Sequence, residues 1–118
     1  MKVMFNVYMQ AEADELQDIA ADLEAEIRSW VEEKDTGAHL LADRDEEGKY
    51  HRIGINIQVR KRAHLKEPLS FLYELARRHK CDFVLGVYDG DRQEDICYFG
   101  NEEGKPDAFE VANYIGLM

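Results

Sequence analysis

The period with which apolar residues recur changes several times along this 118-residue chain, and the order of those changes restricts the fold strongly. Across residues 3–9 every second residue is apolar, which predicts a strand. Across residues 13–33 apolar residues recur every three or four positions, which predicts a long helix with one apolar face. Alternation returns across residues 50–60, so we expect a further strand there, paired in a hairpin with a short strand at residues 39–43.

The second half of the chain repeats this change of period. We expect a second helix that begins at Pro68, since proline suits the first helical position. It should end in the cationic residues 77–80, which the negative end of the helix dipole favours. Residues 82–89 and 95–99 then predict two strands, joined by a turn at Gly90.

A capping box, Asp107 with Glu110, predicts a last short helix that ends at Gly116. The resulting order is β-α-β-β-α-β-β-α, and its first six elements match the split βαβ, ferredoxin-like plan. We therefore predict an α+β fold in a single domain over residues 1–118. It is a two-layer ferredoxin-like sandwich with a largely antiparallel sheet, an added strand and a C-terminal helix. This argument leaves the strand order open. The sheet face away from the helices should show Tyr8, Asn56, Gln58 and Arg60.

The net charge of −10 argues against a nucleic-acid partner, because phosphate contacts need clustered lysine and arginine. Residues 1–50 carry 5 basic and 14 acidic side chains, residues 51–80 carry 8 and 2, and residues 81–118 carry 2 and 9. A basic segment therefore lies between two acidic ones, which leaves a local phosphate site open. No apolar run approaches the ~20 residues that cross a bilayer, and the first ten residues lack a secretory h-region. We expect a cytoplasmic protein without a membrane partner.

No residue pattern predicts a catalytic, metal or cofactor site. The four histidines have neither HxxxH spacing nor a neighbouring cysteine at zinc spacing. The acidic turn at residues 89–95 lacks the spaced ligands and distal glutamate of an EF-hand loop. Ser29 and Ser70 fall inside predicted helices. Cys81 and Cys97 are too far offset across the last hairpin for a disulfide, so we predict buried, reduced thiols. We expect no cofactor and predict that the protein is not an enzyme.

The last predicted hairpin combines aromatic and acidic residues, as protein interfaces do. Aromatic side chains supply binding energy at such surfaces, and carboxylates steer a basic partner. The residues that we predict to bind a partner are Tyr88, Asp89, Asp91, Glu94, Asp95, Tyr98, Phe99, Glu102 and Glu103. In a competing interpretation, which fits the sequence about as well, the aromatic residues pack on the terminal helix and the acids only solvate the rim.

The C-terminal block, ICYFGNEEGKPDAFEVANYIGLM, resembles the closing segment of small acidic bacterial immunity proteins of polymorphic-toxin and contact-dependent-inhibition systems. The similar region covers about the last quarter of the chain and consists of a strand, an acidic turn and a helix. The resemblance implies a stoichiometric inhibitor, without catalytic residues, that binds the toxin domain of its own cell lineage. A nuclease toxin would suit an acidic inhibitor, since nucleases are basic where they bind phosphate backbones. The basic segment 51–80 departs from a uniformly acidic inhibitor and leaves open which face would dock.

Two other hypotheses remain from the sequence. Ferredoxin-like folds often serve as small-molecule sensors, so the chain could be a ligand-binding regulatory domain by fold analogy alone. In that case the residues that hold an anion would be Arg52, Arg60, Lys61 and Arg62. The last hypothesis is a small enzyme that uses carboxylates, for which the sequence supports no nucleophile or base.

Overall fold

The computed structural model describes residues 5–12, 16–101 and 103–116. In chain order the elements are β1 (Phe5–Glu12), α1 (Gln17–Glu33), β2 (His39–Arg44), β3 (Tyr50–Val59), α2 (Ala63–His79), β4 (Asp82–Asp89), β5 (Arg92–Gly100) and α3 (Ala108–Ile115). The described residues therefore form five strands and three helices, and the predicted α+β class is confirmed.

The five strands form one sheet in the order β2-β3-β1-β4-β5, and every neighbouring pair is antiparallel. The central strand is β1, in which Val7 lies between Ile57 of β3 and Val87 of β4. Both of its neighbours are distant in sequence, so long-range packing rather than a tight turn brings them together. The antiparallel sheet was predicted, whereas the order of its strands was not.

One face of the sheet, called here the inner face, shares the hydrophobic core with the helices. Strand residues at alternate positions are buried in this core together with residues of all three helices. Among them are Val7, Met9, Ile53, Ile55, Ile57, Phe83, Leu85 and Phe99 from the strands, and Leu23, Ile27, Leu69, Leu72 and Val111 from the helices. The opposite side is called the outer face. The strand register places Tyr8, Asn56, Gly86 and Tyr98 there.

Helix α2 begins at Ala63, so the predicted start at Pro68 was wrong. The earlier start puts Leu65 on the same helix face as Leu69 and Leu72, and all three side chains are buried. Burial of a leucine contributes about 1.5–3 kcal/mol. That gain is comparable to the roughly 3 kcal/mol that a proline inside a helix costs. Tertiary burial of Leu65 thus overrides the local preference of Pro68 for a helix start.

The other helix ends largely follow local chemistry. Helix α1 begins at Gln17 and ends where predicted, and residues 13–15 of its predicted span lie outside the described residues. At the start of α3 the Asp107 carboxylate accepts a hydrogen bond of 2.8 Å from the backbone N–H of Phe109. The same helix ends at Gly116, whose φ of 87° belongs to the left-handed region that glycine adopts easily. Both ends of α3 were predicted.

Candidate functional site

Most of the predicted partner-binding residues lie along hairpin β4–β5, at one border of the sheet. The two strands are joined by a two-residue turn in which Gly90 has a φ of 64°, a value that favours glycine. The exposed members of the predicted set are Asp89, Asp91, Glu94, Asp95, Tyr98 and Glu103, whereas Tyr88 is half-buried. Glu102 lies outside the described residues. Because β5 is an edge strand, these carboxylates line the border rather than the middle of the sheet.

Phe99 was wrongly included in the predicted surface. Its side chain is fully buried on the inner face, with its ring centroid 5.9 Å from that of Phe83. Tyr98, one position earlier, points to the outer face and is 60% exposed. Successive strand residues face opposite sides, so an aromatic pair in one strand divides between core and surface. Phe99 stabilises the fold and cannot contact a partner.

Tyr8 was expected to be exposed on the outer face, but it is fully buried. Its hydroxyl donates a hydrogen bond to a carboxylate oxygen of Asp95, and its ring packs at 5.0 Å from the ring of Tyr88. Burial, followed by the hydrogen bond to Asp95, raises the pKa of Tyr8 well above its usual range. Tyr8 therefore stays protonated and remains a donor. This contact joins residues 87 positions apart, so no local sequence signal could reveal it.

Two buried acceptors on the outer face have no hydrogen-bond partner within the described residues: Oε1 of Gln10 and Oδ1 of Asn56. Gln10 is only 3% exposed. A cavity of about 210 Å³ opens beside Asn56, and Asn6, His39, Gln58 and Tyr88 help to line it. An unsatisfied buried polar group costs about 1–3 kcal/mol. Both atoms are closed off from the surface, so a buried water is the donor that would satisfy them, and they give no preference for a docking partner.

Among the described residues, one acidic side chain is buried, and no local pattern in the sequence predicted it. Glu24 of α1 is 8% exposed and accepts hydrogen bonds of 2.5 Å from both the Tyr50 hydroxyl and Arg28. Arg44 lies 3.4 Å away and also stacks 4.8 Å over the ring of Tyr50. The Tyr50 hydrogen bond and the two arginines lower the pKa of Glu24. A general acid needs a raised pKa, so this paired carboxylate joins α1, β2 and β3 structurally.

The thiols lack the properties of a nucleophile. Cys81 and Cys97 are both free, and burial raises the pKa of Cys81 to about 11 and that of Cys97 in the same direction. Within the part of the chain that the structure describes, no group of three His, Cys, Asp or Glu side chains could hold a metal ion. None of the helices in the described ranges is both long and apolar enough to span a membrane.

The basic residues proposed for an anion site do not converge. Arg52 lies on β3, where it forms an ion pair with Asp43. Arg60 is eight residues further along the chain, and at about 3.3 Å per residue that separation is roughly 26 Å. Arg62 instead stacks 4.6 Å over the ring of Phe109 in α3. The predicted set of four therefore cannot hold one small anion together.

A different pair of cations, Lys66 and Lys105, lines a cleft of about 360 Å³ between α2 and the start of α3. Asp107 lines the same cleft, and Lys105 already donates to the hydroxyl of Ser70 at 2.7 Å. Because one carboxylate offsets one of the two lysines, the cleft has little charge with which to select an anion.

Comparison with known proteins found no match for this chain. No protein-family model, no curated protein and no solved structure matches it.

Proposed function

We propose that this chain is a protein-binding domain that docks a basic partner on the outer face beside β5. One observation carries the proposal: Tyr98 is 60% exposed on the same face as Asp95, whose carboxylate a buried tyrosine, Tyr8, already holds. An exposed aromatic ring beside fixed negative charge is the composition of an interface centre. The three described helices pack on the inner face, and on the outer face Asp95 and Tyr98 are both exposed.

The charge of the hairpin supports a basic partner. Between Asp89 and Asp95 the chain carries four carboxylates and a single cation, Arg92. Such a local field raises the rate at which a positively charged protein associates, most strongly at low salt.

The biological role that we propose is that of a cytoplasmic immunity protein, a stoichiometric inhibitor of a cognate bacterial toxin domain. The resemblance of the C-terminal block to immunity proteins supports this role, together with the acidic hairpin. A basic nuclease is the toxin class that fits best, because its phosphate-binding surface would attract the same carboxylates. Inhibition would then follow from occupation of that surface and needs no catalytic residue in the inhibitor.

We also propose that the topology is ferredoxin-like. In the split βαβ plan each helix connects two parallel strands that flank a third. Strands β1 and β2 flank β3, and β3 and β4 flank β1, which supports this assignment for the first six elements. Strand β5 and helix α3 would then be additions at one border, where the docking surface lies.

A charge-matched comparison tests the docking surface. Where a toxin domain is encoded beside this gene, it is titrated with a variant that carries Asp89→Asn, Asp91→Asn, Glu94→Gln and Asp95→Asn. The control variant neutralises four exposed acids of α1 (Asp18, Asp22, Glu32 and Glu33) and so has the same net charge. We expect the hairpin variant to associate about tenfold more slowly at low salt and the control to change far less. Equal effects of the two variants would show that net charge alone matters and would refute the surface.

A further inference from the structure

We propose that Asp95 is a preorganised binding site for one arginine side chain of the partner. Tyr8 is the positioning residue that holds the Asp95 carboxylate. This inference rests on the proposed function and deepens it, because it names the group of the partner that is recognised. Three features of the structure support it: a β-bulge, a glycine beneath a tyrosine ring, and a carboxylate of which the tyrosine hydrogen bond uses only one oxygen.

The backbone bulge brings Asp95 and Tyr98 to one face. In a regular strand, residues three positions apart point to opposite sides of the sheet. Here the register shifts between Leu85 and Gly86, so that Leu85 pairs with Cys97 and Gly86 pairs with Asp95. The extra residue, Ile96, therefore moves Asp95 onto the outer face together with Tyr98. Bulges commonly re-aim a side chain in this way near functional surfaces.

Gly86 makes room for the contact that fixes Asp95. Tyr8 pairs with Gly86 across the β1–β4 ladder, and its hydroxyl reaches over the glycine to the Asp95 carboxylate on the next strand. A β-carbon at position 86 would overlap the Tyr8 hydroxyl and the backbone oxygen of Glu94. Tyr88 packs on the Tyr8 ring, which fixes the ring on its other side. The hydrogen bond from Tyr8 thus fixes the side chain of Asp95, although the residue itself is exposed.

The second oxygen of this carboxylate indicates which group of the partner binds. Tyr8 donates to Oδ1 of Asp95, and this hydrogen bond leaves Oδ2 for a donor of the partner. An arginine fits Oδ2 better than a lysine does, because its planar guanidinium can hydrogen-bond the carboxylate while it stacks on an aromatic ring. The exposed ring of Tyr98 lies on the same face for that purpose. Since Asp95 is already ordered, binding does not lose the entropy of fixing it.

The neighbouring Glu94 provides a matched comparison. It is exposed and acidic like Asp95, but it pairs with Val87 on the opposite side of the ladder and no tyrosine holds it. If attraction depended on net charge alone, Glu94 and Asp95 would matter equally. A larger effect of Asp95→Asn would show that the outer face is the docking face, because Glu94 lies on the other side. Preorganisation is tested by Tyr8→Phe, which leaves every charge in place and should also weaken binding.

The experiment uses the peptide acetyl-Arg-Arg-Arg-amide as the probe, titrated at low salt into the ¹⁵N-labelled full chain and followed by amide chemical shifts. We expect the shifts to map to residues 88 and 93–98. Asp95→Asn should weaken binding about tenfold, Tyr8→Phe about threefold and Glu94→Gln less than twofold. The double variant Tyr8→Phe/Asp95→Asn should bind no worse than Asp95→Asn, because the hydroxyl acts through the carboxylate. An all-lysine peptide of the same length should bind more weakly.

The outcomes separate this inference from the proposed function. Binding at the hairpin that is unchanged by Tyr8→Phe overturns the proposed arginine site but leaves the docking surface in place. Equal weakening by Asp95→Asn and Glu94→Gln overturns both, because Glu94 faces the other side of the sheet. Binding that maps instead to the acids of α1 overturns both the docking surface and the proposed arginine site at Asp95. Amide spectra of Tyr8→Phe that match the wild type away from the hairpin ensure that lost binding does not reflect lost folding.

Discussion

Replacement of Glu24 by glutamine should measure what the one buried carboxylate of the described residues contributes to stability. The substitution keeps the size of the side chain and removes its charge. In the native protein the carboxylate accepts hydrogen bonds from Tyr50 and Arg28, both at 2.5 Å, and lies 3.4 Å from Arg44. Glutamine can still accept from Tyr50, but it offers one acceptor oxygen instead of two and no charge.

The expected cost follows from the exposure of the partners. The side chains of Arg28 and Arg44 are 54% and 47% exposed, so either arginine regains water when the charge of Glu24 is removed. The variant therefore avoids the 3–5 kcal/mol of a stranded buried charge. What is lost is the charge assistance of the Tyr50 hydrogen bond and one arginine contact. We expect Glu24→Gln to lower the free energy of unfolding by about 1–2 kcal/mol at neutral pH.

The pH dependence gives a second, independent signature. The pKa of Glu24 in the folded protein lies below its ordinary value of 4.5, so the unfolded chain binds the proton first as the pH falls. The stabilisation by Glu24 is therefore fully present above pH 4.5 and disappears as the pH falls through the folded pKa. Glu24→Gln should accordingly be destabilised at pH 7 and approach the wild type at strongly acidic pH.

Urea denaturation across this pH range measures both effects, with Glu32→Gln on the exposed side of the same helix as the control. Tyr50→Phe should reproduce part of the destabilisation, since the Tyr50 hydroxyl is the leading cause of the lowered pKa of Glu24. Our account of this cluster is refuted if Glu24→Gln matches the control at pH 7, or if its deficit persists undiminished in acid.

Other substitutions test separate parts of the structure. Lys80→Gly should raise the free energy of unfolding by about 0.5–1 kcal/mol in a urea titration. Lys80 has a φ of 56°, which costs a non-glycine residue about 1–2 kcal/mol, and glycine relieves most of that cost. An unchanged urea midpoint would contradict this. Gly86→Ala should displace the Tyr8 ring, visible as a changed near-ultraviolet circular dichroism spectrum, and an unchanged spectrum would contradict the packing. Phe99→Ala should cost about 3–5 kcal/mol, whereas Tyr98→Ala should change stability by less than about 0.5 kcal/mol, and similar losses would contradict their assignment to opposite faces. Alkylation of Cys81 at pH 8 should be much slower than that of a free peptide thiol, in line with its raised pKa, and rapid labelling would refute its burial.

Period and capping chemistry predicted the elements well, because both are local properties of the chain. The alternation in residues 50–60 corresponds to β3, and the Asp107 cap and Gly116 stop correspond to the ends of α3. Local rules failed where a distant contact was stronger. Proline suggested a late start for α2, but burial of Leu65 against the sheet extends the helix to Ala63.

The candidate site shows the same division. The local sequence predicted hairpin β4–β5 and its carboxylates, because the turn and the acidic residues lie close together in the chain. Composition could not separate Tyr98 from Phe99, which are adjacent in sequence but lie on opposite faces. The sequence also did not predict the bulge at Ile96. In a short strand of mostly polar residues, apolar and polar positions do not alternate clearly enough to reveal one unpaired residue.

By itself the sequence determined the α+β class, the approximate positions of the helices and strands, and the acidic character of the last hairpin. Those properties depend on residues close together in the chain, whose spacing sets which side becomes apolar. Tertiary structure alone decided the strand order and the two contacts that matter most here, Tyr8 with Asp95 and Glu24 with Tyr50. Each of these joins side chains on different elements. Their geometry depends on how the sheet and helices assemble, and contacts between distant elements produce no local pattern in the sequence.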